Sequence, residues 1–255
     1  MPITVSKKQE LNNLYNHIKK YIALLNYRNL SENTTEAYHR DIKMFVNYVY
    51  ESYKITHFNS IKSLHIKEYL NGLSGYQTKN KKSSSINRSI SSIRNFYKFL
   101  IDENLVHNNP IKAIDAPKIS KKLPEVLEVN EIDMILDSIN VKSKNGYRNR
   151  TLISILYSCG LRVSELTELK LTNLFLEEEY IKVFGKGSKE RIVPIGEGAY
   201  DELIHYINNS RPYYARKSNT KGHLFLSNRS KPLSRKTVWN IIKVCSLEAG
   251  IKKDI

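Results

Sequence analysis

The chain has 255 residues and a formal net charge of +16 at pH 7, because 41 Lys and Arg residues face 25 Asp and Glu residues. Such a surplus attracts polyanions, so nucleic acid is the first candidate partner and an anionic membrane surface the second. No apolar run approaches the roughly 18 residues of a spanning helix, which argues against a membrane protein. The two cysteines lack metal-ligand spacing and the N-terminus lacks an apolar signal stretch, so we expect no metal, no disulfide framework and a cytoplasmic location.

The first hundred residues show apolar side chains at the three- and four-residue spacing of amphipathic helices. This spacing predicts helices over residues 9–25, 37–49, 64–73 and 84–103, the second preceded by capping residues at 31–34. Four helices with short connections are typical of a small helical bundle. We therefore predict a helical domain over residues 1–106.

Residues 107–124 change in character, with four lysines, little periodicity and three prolines, which disfavour a continuous helix. We predict an extended basic linker over 107–124, followed by a second domain over 125–255.

The second domain mixes helical and strand-like patterns. Helices are predicted over residues 129–139, 150–158, 164–169, 199–207 and, after Ser234 as a cap, 234–249. Strands are predicted over residues 173–176, 180–184 and 191–195. The last two flank a Gly-containing turn of hairpin type. The chain is therefore predicted to be mainly α-helical with a small antiparallel sheet.

Two stretches, residues 69–101 and 203–247, contain no acidic residue and carry many basic ones. Solvated faces usually alternate in charge sign, so these stretches indicate contacts with DNA phosphates. Duplex DNA is favoured over RNA because neither an RNP-type strand motif nor a GXXG clamp is present. The candidate DNA-binding residues here are Lys79, Lys81, Lys82, Arg88, Arg94, Arg235 and Lys236. The alternative for Arg88 and Arg94 is that they only cover the surface of the bundle.

Residues 160–166 (GLRVSEL) and 184–191 (FGKGSKER) carry the candidate chemistry. Arg162 lies between two predicted helices, where a planar guanidinium meets a phosphate in bidentate fashion. Lys186 lies at a predicted hairpin tip, from which an ammonium group can donate a proton to a leaving oxygen. An arginine that bridges loop carbonyls and a lysine in water are the alternatives for each residue taken singly.

These two segments resemble the first catalytic arginine motif and the catalytic lysine segment of the tyrosine recombinase (phage integrase) family, and the chain as a whole is similar to Xer-type recombinases. Residues 30–34 and 89–97 resemble the family's core-binding domain, and residues 109–110 and 116–118 its linker. The resemblance implies an N-terminal four-helix SAM-like domain and an α/β catalytic domain. It also implies Arg162 and Lys186 as catalytic residues, with Lys189 and Arg191 beside them as DNA contacts.

The family's mechanism, as implied by the resemblance, uses a tyrosine that forms a 3′-phosphotyrosyl link to DNA. Arginines stabilise the phosphorane and the lysine protonates the departing 5′-oxygen, without a metal or a nucleotide cofactor. Four protomers, identical or of two kinds, assemble on two DNA sites. The implied roles are site-specific DNA recombination, with chromosome dimer resolution, chromosome partition and cell division on one side or DNA integration on the other.

In the family, an H-x-x-R box and the nucleophilic tyrosine follow the segment that matches residues 246–253. The sequence ends at Ile255, and none of its seven histidines has an arginine three positions on. We therefore expect the catalytic domain to be incomplete and the chain to bind DNA without cutting it. A non-catalytic remnant or decoy that occupies recombination sites is the alternative. A metal-dependent DDE-type transposase is disfavoured, because the basic second half offers few candidates for its three carboxylates.

Overall fold

The fold is described from a computed structural model, in which residues 5–74, 83–117, 125–185, 190–216 and 220–253 are placed. The chain divides into two compact units, Met1–Lys122 and Leu123–Ile255. The boundary between them lies inside the predicted linker. We call them the helical unit and the second unit and describe each by itself.

The helical unit contains the four predicted helices. They are α1 (Val5–Tyr27), α2 (Glu32–Tyr53), α3 (Ser63–Ser74) and α4 (Ser83–Asp102). Ser31 caps α2, its side chain accepting the backbone N–H of Thr34 at 3.4 Å. The helix ends at Lys54, which adopts the left-handed conformation at φ 56°. The bundle predicted from periodicity is confirmed, with α1 and α2 longer at both ends than their apolar pattern indicated.

The core of the helical unit is built around aromatic side chains from its four helices and from a short 3₁₀ turn, Phe58–Ser60. Phe96 on α4 contacts Phe58 and Tyr21 edge-on, with ring centroids 5.2 and 5.3 Å apart. Phe45 and Phe96 are fully buried. Each such side chain contributes roughly 1.5–3 kcal/mol by leaving water, so these contacts fix the helices against one another.

The first half of the predicted linker is part of the helical unit. Ile111 is fully buried and Ile114 nearly so, both within the helical core. Side chains of the bundle also hold the backbone: Arg94 Nη2 donates to the Ile114 carbonyl at 3.0 Å, and Asn87 to the Pro117 carbonyl at 3.0 Å. The prolines exclude a helix here, as predicted, but the isoleucines anchor residues 107–117 instead of leaving them extended in solvent.

The second unit combines six α-helices of the described residues with a three-stranded sheet. The helices are α5 (Val129–Ser138), α6 (Gly146–Ser158), α7 (Val163–Glu168), α8 (Glu197–His205), α9 (Arg211–Tyr214) and α10 (Arg235–Glu248). The strands are β1 (Leu174–Phe175), β2 (Tyr180–Phe184) and β3 (Glu190–Pro194). They are antiparallel in the order β1-β2-β3, with Ile181 opposite Val193. The mainly α fold with a small antiparallel sheet is confirmed.

The chain after α8 departs from the predicted ending of that helix at residue 207. A π-helical turn, Tyr206–Ser210, joins α8 to α9, and Pro212 lies in the first turn of α9. Proline lacks the N–H that a continuous α-helix needs and its ring clashes with the preceding turn, so the wider π turn accommodates it. Tyr206 is fully buried and its hydroxyl donates to the Leu224 carbonyl at 3.2 Å, which anchors the turn in the core.

No helix among the placed residues has both the length and the apolar character needed to cross a bilayer. Within the same residues, no three His, Cys, Asp or Glu side chains come together as metal ligands would.

Candidate active site and nucleic-acid interface

Glu165 on α7 lies at the centre of a cluster of charged side chains in the second unit. Its side chain is only 4% exposed. Oε1 accepts from Arg162 Nη1 at 2.8 Å and from Arg191 Nη1 at 2.7 Å. Oε2 accepts from Arg191 Nη2 and from the Arg162 backbone N–H, both at 2.8 Å. One buried carboxylate therefore holds two arginines that lie 29 positions apart in the sequence.

Local structure explains how Glu165 comes to bind both arginines. Helix α6 ends at Ser158. Gly160, two residues on, has φ +55°, a conformation that favours glycine, and the chain then turns into α7 with Arg162 as its extended N-cap residue. Glu165 lies three residues on, at the position from which a carboxylate reaches back to the N-cap N–H. Arg191 is the second residue of β3 and pairs with Val183 of β2. The sheet register thus delivers Arg191 to the first turn of α7.

The electrostatics of the cluster leave a positive surface. Hydrogen bonds from Arg191, and then those from Arg162, outweigh burial and lower the pKa of Glu165 from 4.5 to about 2. The carboxylate is therefore ionised at neutral pH, and two positive charges face one negative charge. The Arg162 side chain is 70% exposed and spends only one guanidinium nitrogen on Glu165. Its other donors have no partner among the described residues and can meet the oxygens of a phosphate.

The candidate catalytic Lys186 and the neighbouring Lys189 lie outside the residues that the structure describes. The stem of their hairpin is described: Phe184 pairs with Glu190, and Lys182 forms an ion pair with Glu190 at 2.6 Å. Arg191, proposed from the sequence as a DNA contact, meets Glu165 through both terminal nitrogens and keeps 37% of its side chain exposed.

The candidate DNA contacts of the helical unit have different surroundings. Lys79, Lys81 and Lys82 lie outside the described residues. Arg88 forms an ion pair with Asp41, and Arg94 donates to the Ile114 carbonyl. Both arginines thus have partners inside their own unit, and only part of each guanidinium remains for DNA.

The first turn of α10 carries the remaining two candidates. Arg235 and Lys236 are exposed, directly after Ser234, whose hydroxyl accepts the Thr237 N–H at 3.1 Å. One turn further along, Lys243 Nζ lies 5.0 Å from the centroid of the half-exposed Trp239 ring. This half of α10 presents cations and an aromatic ring to solvent, the combination that suits contacts with nucleic acid.

Two acidic residues, Glu165 and Asp41, were not assigned roles from the sequence, although both position a candidate arginine. Glu165 had a usable signal, because a glutamate three residues after a helix start is typical of a capping box. Asp41 had a weaker one: it is an acidic residue beside the buried face of α2 that includes Ile42 and Phe45. The basic stretch 203–247 also contains an arginine that turns inward, since Arg211 donates to the carbonyls of residues 223 and 224.

Comparison with known proteins decides the family. The pattern described as "Phage integrase family" matches residues 125–255, and "Phage integrase, N-terminal SAM-like domain" matches residues 18–104. Tyrosine recombinase XerD of Staphylococcus aureus is 40% identical over 239 residues, which cover 93% of this chain and 79% of XerD. The chain belongs to the phage integrase family of tyrosine recombinases. Tyrosine recombinase XerD of Staphylococcus saprophyticus is also 40% identical, over 240 residues, with the same two coverages.

Solved structures of tyrosine recombinases share the fold. A lambda integrase dimer bound to a COC′ core site aligns with a TM-score of 0.69 at 19% identity, covering 94% of this chain and 65% of that one. The XerH site-specific recombinase in a post-cleavage complex with a palindromic difH substrate aligns with a TM-score of 0.68 at 21% identity, covering 89% and 66%. The predicted SAM-like helical domain and integrase-like catalytic domain are therefore confirmed as folds.

Proposed function

We propose that the chain acts in site-specific DNA recombination, binding a duplex recombination site through both units. The observation that carries the proposal is the cluster around Glu165, which presents an exposed arginine on a positive surface in a member of the tyrosine recombinase family. The relatives' own names add support: the XerH and lambda integrase structures are of recombinases bound to their DNA sites.

The proposed chemistry assigns a task to each group. A tyrosine hydroxyl loses its proton to solvent and its oxygen attacks the scissile phosphate, forming an O–P bond while the bond from phosphorus to the 5′-oxygen breaks. Arg162 binds the phosphate oxygens as negative charge develops on them. Glu165, which Arg191 also binds, holds Arg162 in place, and Lys186 supplies the proton that the departing 5′-oxygen takes. Neither a metal nor a nucleotide cofactor takes part.

We propose further that residues 1–255 do not supply the nucleophile. Tyr214 is buried, and its hydroxyl donates to the Lys144 carbonyl at 2.7 Å and lies 3.2 Å from Asn145 Oδ1. Burial raises the pKa of this hydroxyl above its ordinary value, which disfavours a phenolate. Tyr213 is 38% exposed, but its ring lies under the Arg216 guanidinium, 4.1 Å away. A polypeptide that consists of residues 1–255 alone would therefore occupy recombination sites without cleaving them, as a decoy does.

The proposed partners are a duplex recombination site and further recombinase protomers, of the same or a second kind, in a tetramer in the cytoplasm. A lambda integrase tetramer bound to a Holliday junction provides the precedent for such an assembly. Chromosome dimer resolution, with its links to chromosome partition and cell division, is the proposed role, because XerD of Staphylococcus aureus is so similar. DNA integration is the second candidate, favoured by the fold shared with lambda integrase.

The proposal that residues 1–255 do not cleave DNA is tested with a nicked suicide duplex that contains the sequence that the protein binds most tightly. Residues 1–255 are expected to retard this duplex on a native gel and to give no covalent protein–DNA band after denaturing electrophoresis, because Arg162 and Lys186 stabilise and protonate but do not attack. A covalent band would contradict the proposal. Its loss in Tyr213→Phe, but not in the control Tyr157→Phe at another exposed tyrosine, would then identify the nucleophile.

A further inference from the structure

A bidentate ion pair joins two helices of the helical unit. The Asp41 side chain on α2 is fully buried, whereas the Arg88 side chain on α4 is 39% exposed. Arg88 Nε donates to Asp41 Oδ2 at 2.8 Å and Nη2 donates to Oδ1 at 3.3 Å. The Ser92 hydroxyl lies 3.5 Å from the same Oδ2. The buried carboxylate thus binds the edge of the guanidinium that faces the protein interior.

The outer edge of the same guanidinium remains available. Arginine has five N–H donors, and Asp41 occupies one on Nε and one on Nη2. Both N–H groups of Nη1 and the second one of Nη2 have no partner among the described residues. One N–H from each of these nitrogens forms a parallel pair of donors. Such a pair fits the O6 and N7 acceptors of a guanine or two oxygens of one phosphate.

The surface around Arg88 suits DNA. Ser84 and Ser91 lie four residues before and three residues after Arg88, on the same face of α4, and both are exposed. No acidic residue occurs between Tyr69 and Ile101. The hydrogen bond that Arg88 donates to Asp41 raises the pKa of Arg88 further, so the side chain stays cationic.

Stability alone does not require this pair, because burying a carboxylate costs free energy and well-packed apolar residues are often at least as stable. What the pair does provide is a fixed arginine. A free arginine loses rotamer freedom when it binds, whereas one held by a buried carboxylate has already lost most of it.

We propose that Asp41 is a positioning residue for DNA recognition, which holds Arg88 so that its outer edge meets two hydrogen-bond acceptors of duplex DNA. The inference rests on the proposed function in DNA binding and adds to it a specific contact and the residue that prepares it.

The principal test is the double variant Asp41→Asn/Arg88→Gln. It leaves the net charge unchanged and replaces the ion pair with two amides, which keep hydrogen-bonding groups at both positions. Its affinity for the tightest-binding duplex selected from a randomised pool is expected to fall roughly 5- to 150-fold relative to the unmodified chain. Asp41→Asn alone raises the net charge by one, which favours DNA, yet is expected to bind more weakly than the unmodified chain because Arg88 is no longer held.

Two further measurements distinguish the acceptors. If Arg88 reads a base, Arg88→Lys selects from the randomised pool a site that has lost its preference for guanine at one position. If Arg88 binds a phosphate, the selected sequence is unchanged, and in the double variant the slope of log affinity against log salt becomes shallower by about 1. Thermal unfolding of every variant verifies that it is folded. Arg88→Lys, which keeps a cation facing Asp41, replaces the double variant if that variant is unfolded.

Arg28→Gln is the matched control, since it removes an exposed cation of the same unit that has no assigned contact. Folded Asp41 and Arg88 variants that bind with the affinity, selected sequence and salt slope of the unmodified chain would overturn the inference. A loss no larger than that of Arg28→Gln would do so as well. Failure of the unmodified chain to bind any duplex would instead overturn the proposed function, so the two failures are distinguishable.

Discussion

Raising the salt concentration from 50 to 200 mM is expected to weaken binding of residues 1–255 to duplex DNA by roughly 10³–10⁵-fold, the loss that follows when 6–10 phosphates are neutralised. The reason is the net charge of +16 and the two long stretches without acidic residues. Each neutralised phosphate releases condensed counterions, and added salt opposes that release. Fluorescence anisotropy of a labelled duplex over this salt range measures the slope directly.

Substitutions in α10 provide the internal control for this slope. Arg235→Gln/Lys236→Gln removes two exposed cations from its first turn and is expected to make the slope shallower by about 2 if both contact phosphates. Lys19→Gln/Lys20→Gln, at two exposed positions of α1 with no assigned contact, removes the same number of positive charges. This variant is expected to change the slope less. Binding of the unmodified chain that does not respond to salt would contradict the electrostatic account.

Glu165→Gln is expected to lower the free energy of unfolding of the second unit by about 1–3 kcal/mol at pH 7. The upper value is the drop in the pKa of Glu165 from 4.5 to about 2, at 1.36 kcal/mol per unit, and the lower value allows for solvent screening of the two partly exposed arginines. Because the folded-state pKa is the lower one, this contribution is fully present above about pH 4.5 and is lost as the pH falls toward 2. The free energy of unfolding of the Glu165→Gln variant should therefore fall less than that of the unmodified chain between pH 4.5 and pH 2. Trp239 is the only tryptophan, so its fluorescence during urea unfolding reports on the second unit.

Glu131→Gln is a matched control for this prediction. Glu131 also accepts the N-cap N–H of its helix, at 2.8 Å, but its ion-pair partner is the single lysine Lys253 rather than two arginines. The capping contribution is common to both glutamates, so a larger effect at Glu165 isolates the arginine pair. Equal effects at the two positions would show that Glu165 acts only as a cap.

Elements with strong periodicity were predictable from the sequence. The four helices of the helical unit, the β2–β3 hairpin and the helix that Ser234 caps each depend on local spacing and turn residues, which the sequence displays directly. Arg162 was placed correctly between two helices for the same reason. Prediction failed after α8: the apolar pattern indicated an ending at residue 207, whereas the helical backbone continues through the π turn into α9 and ends at Tyr214.

Contacts between residues far apart in the sequence were not predictable. A hydrophobic pattern indicates which face of a helix is buried, but it does not indicate which partner a charged side chain beside that face will contact. Asp41 and Arg88 are 47 positions apart, and Glu165 and Arg191 are 26 apart. Their pairing depends on the packing of α2 on α4 and on the register of β3 beside α7. The anchoring of Ile111 in the helical core was missed similarly, since prolines and lysines dominated the local signal.

The most direct test of the central claim is sequence-specific binding. Residues 1–255 are incubated with a pool of randomised duplexes at physiological salt, and the retained DNA is sequenced after repeated selection. We predict enrichment of one recognition sequence, bound roughly 10³–10⁷-fold more tightly than unselected duplex and more tightly than duplex RNA of the same sequence. No enrichment after selection, or equal retention of the RNA duplex, would contradict the account.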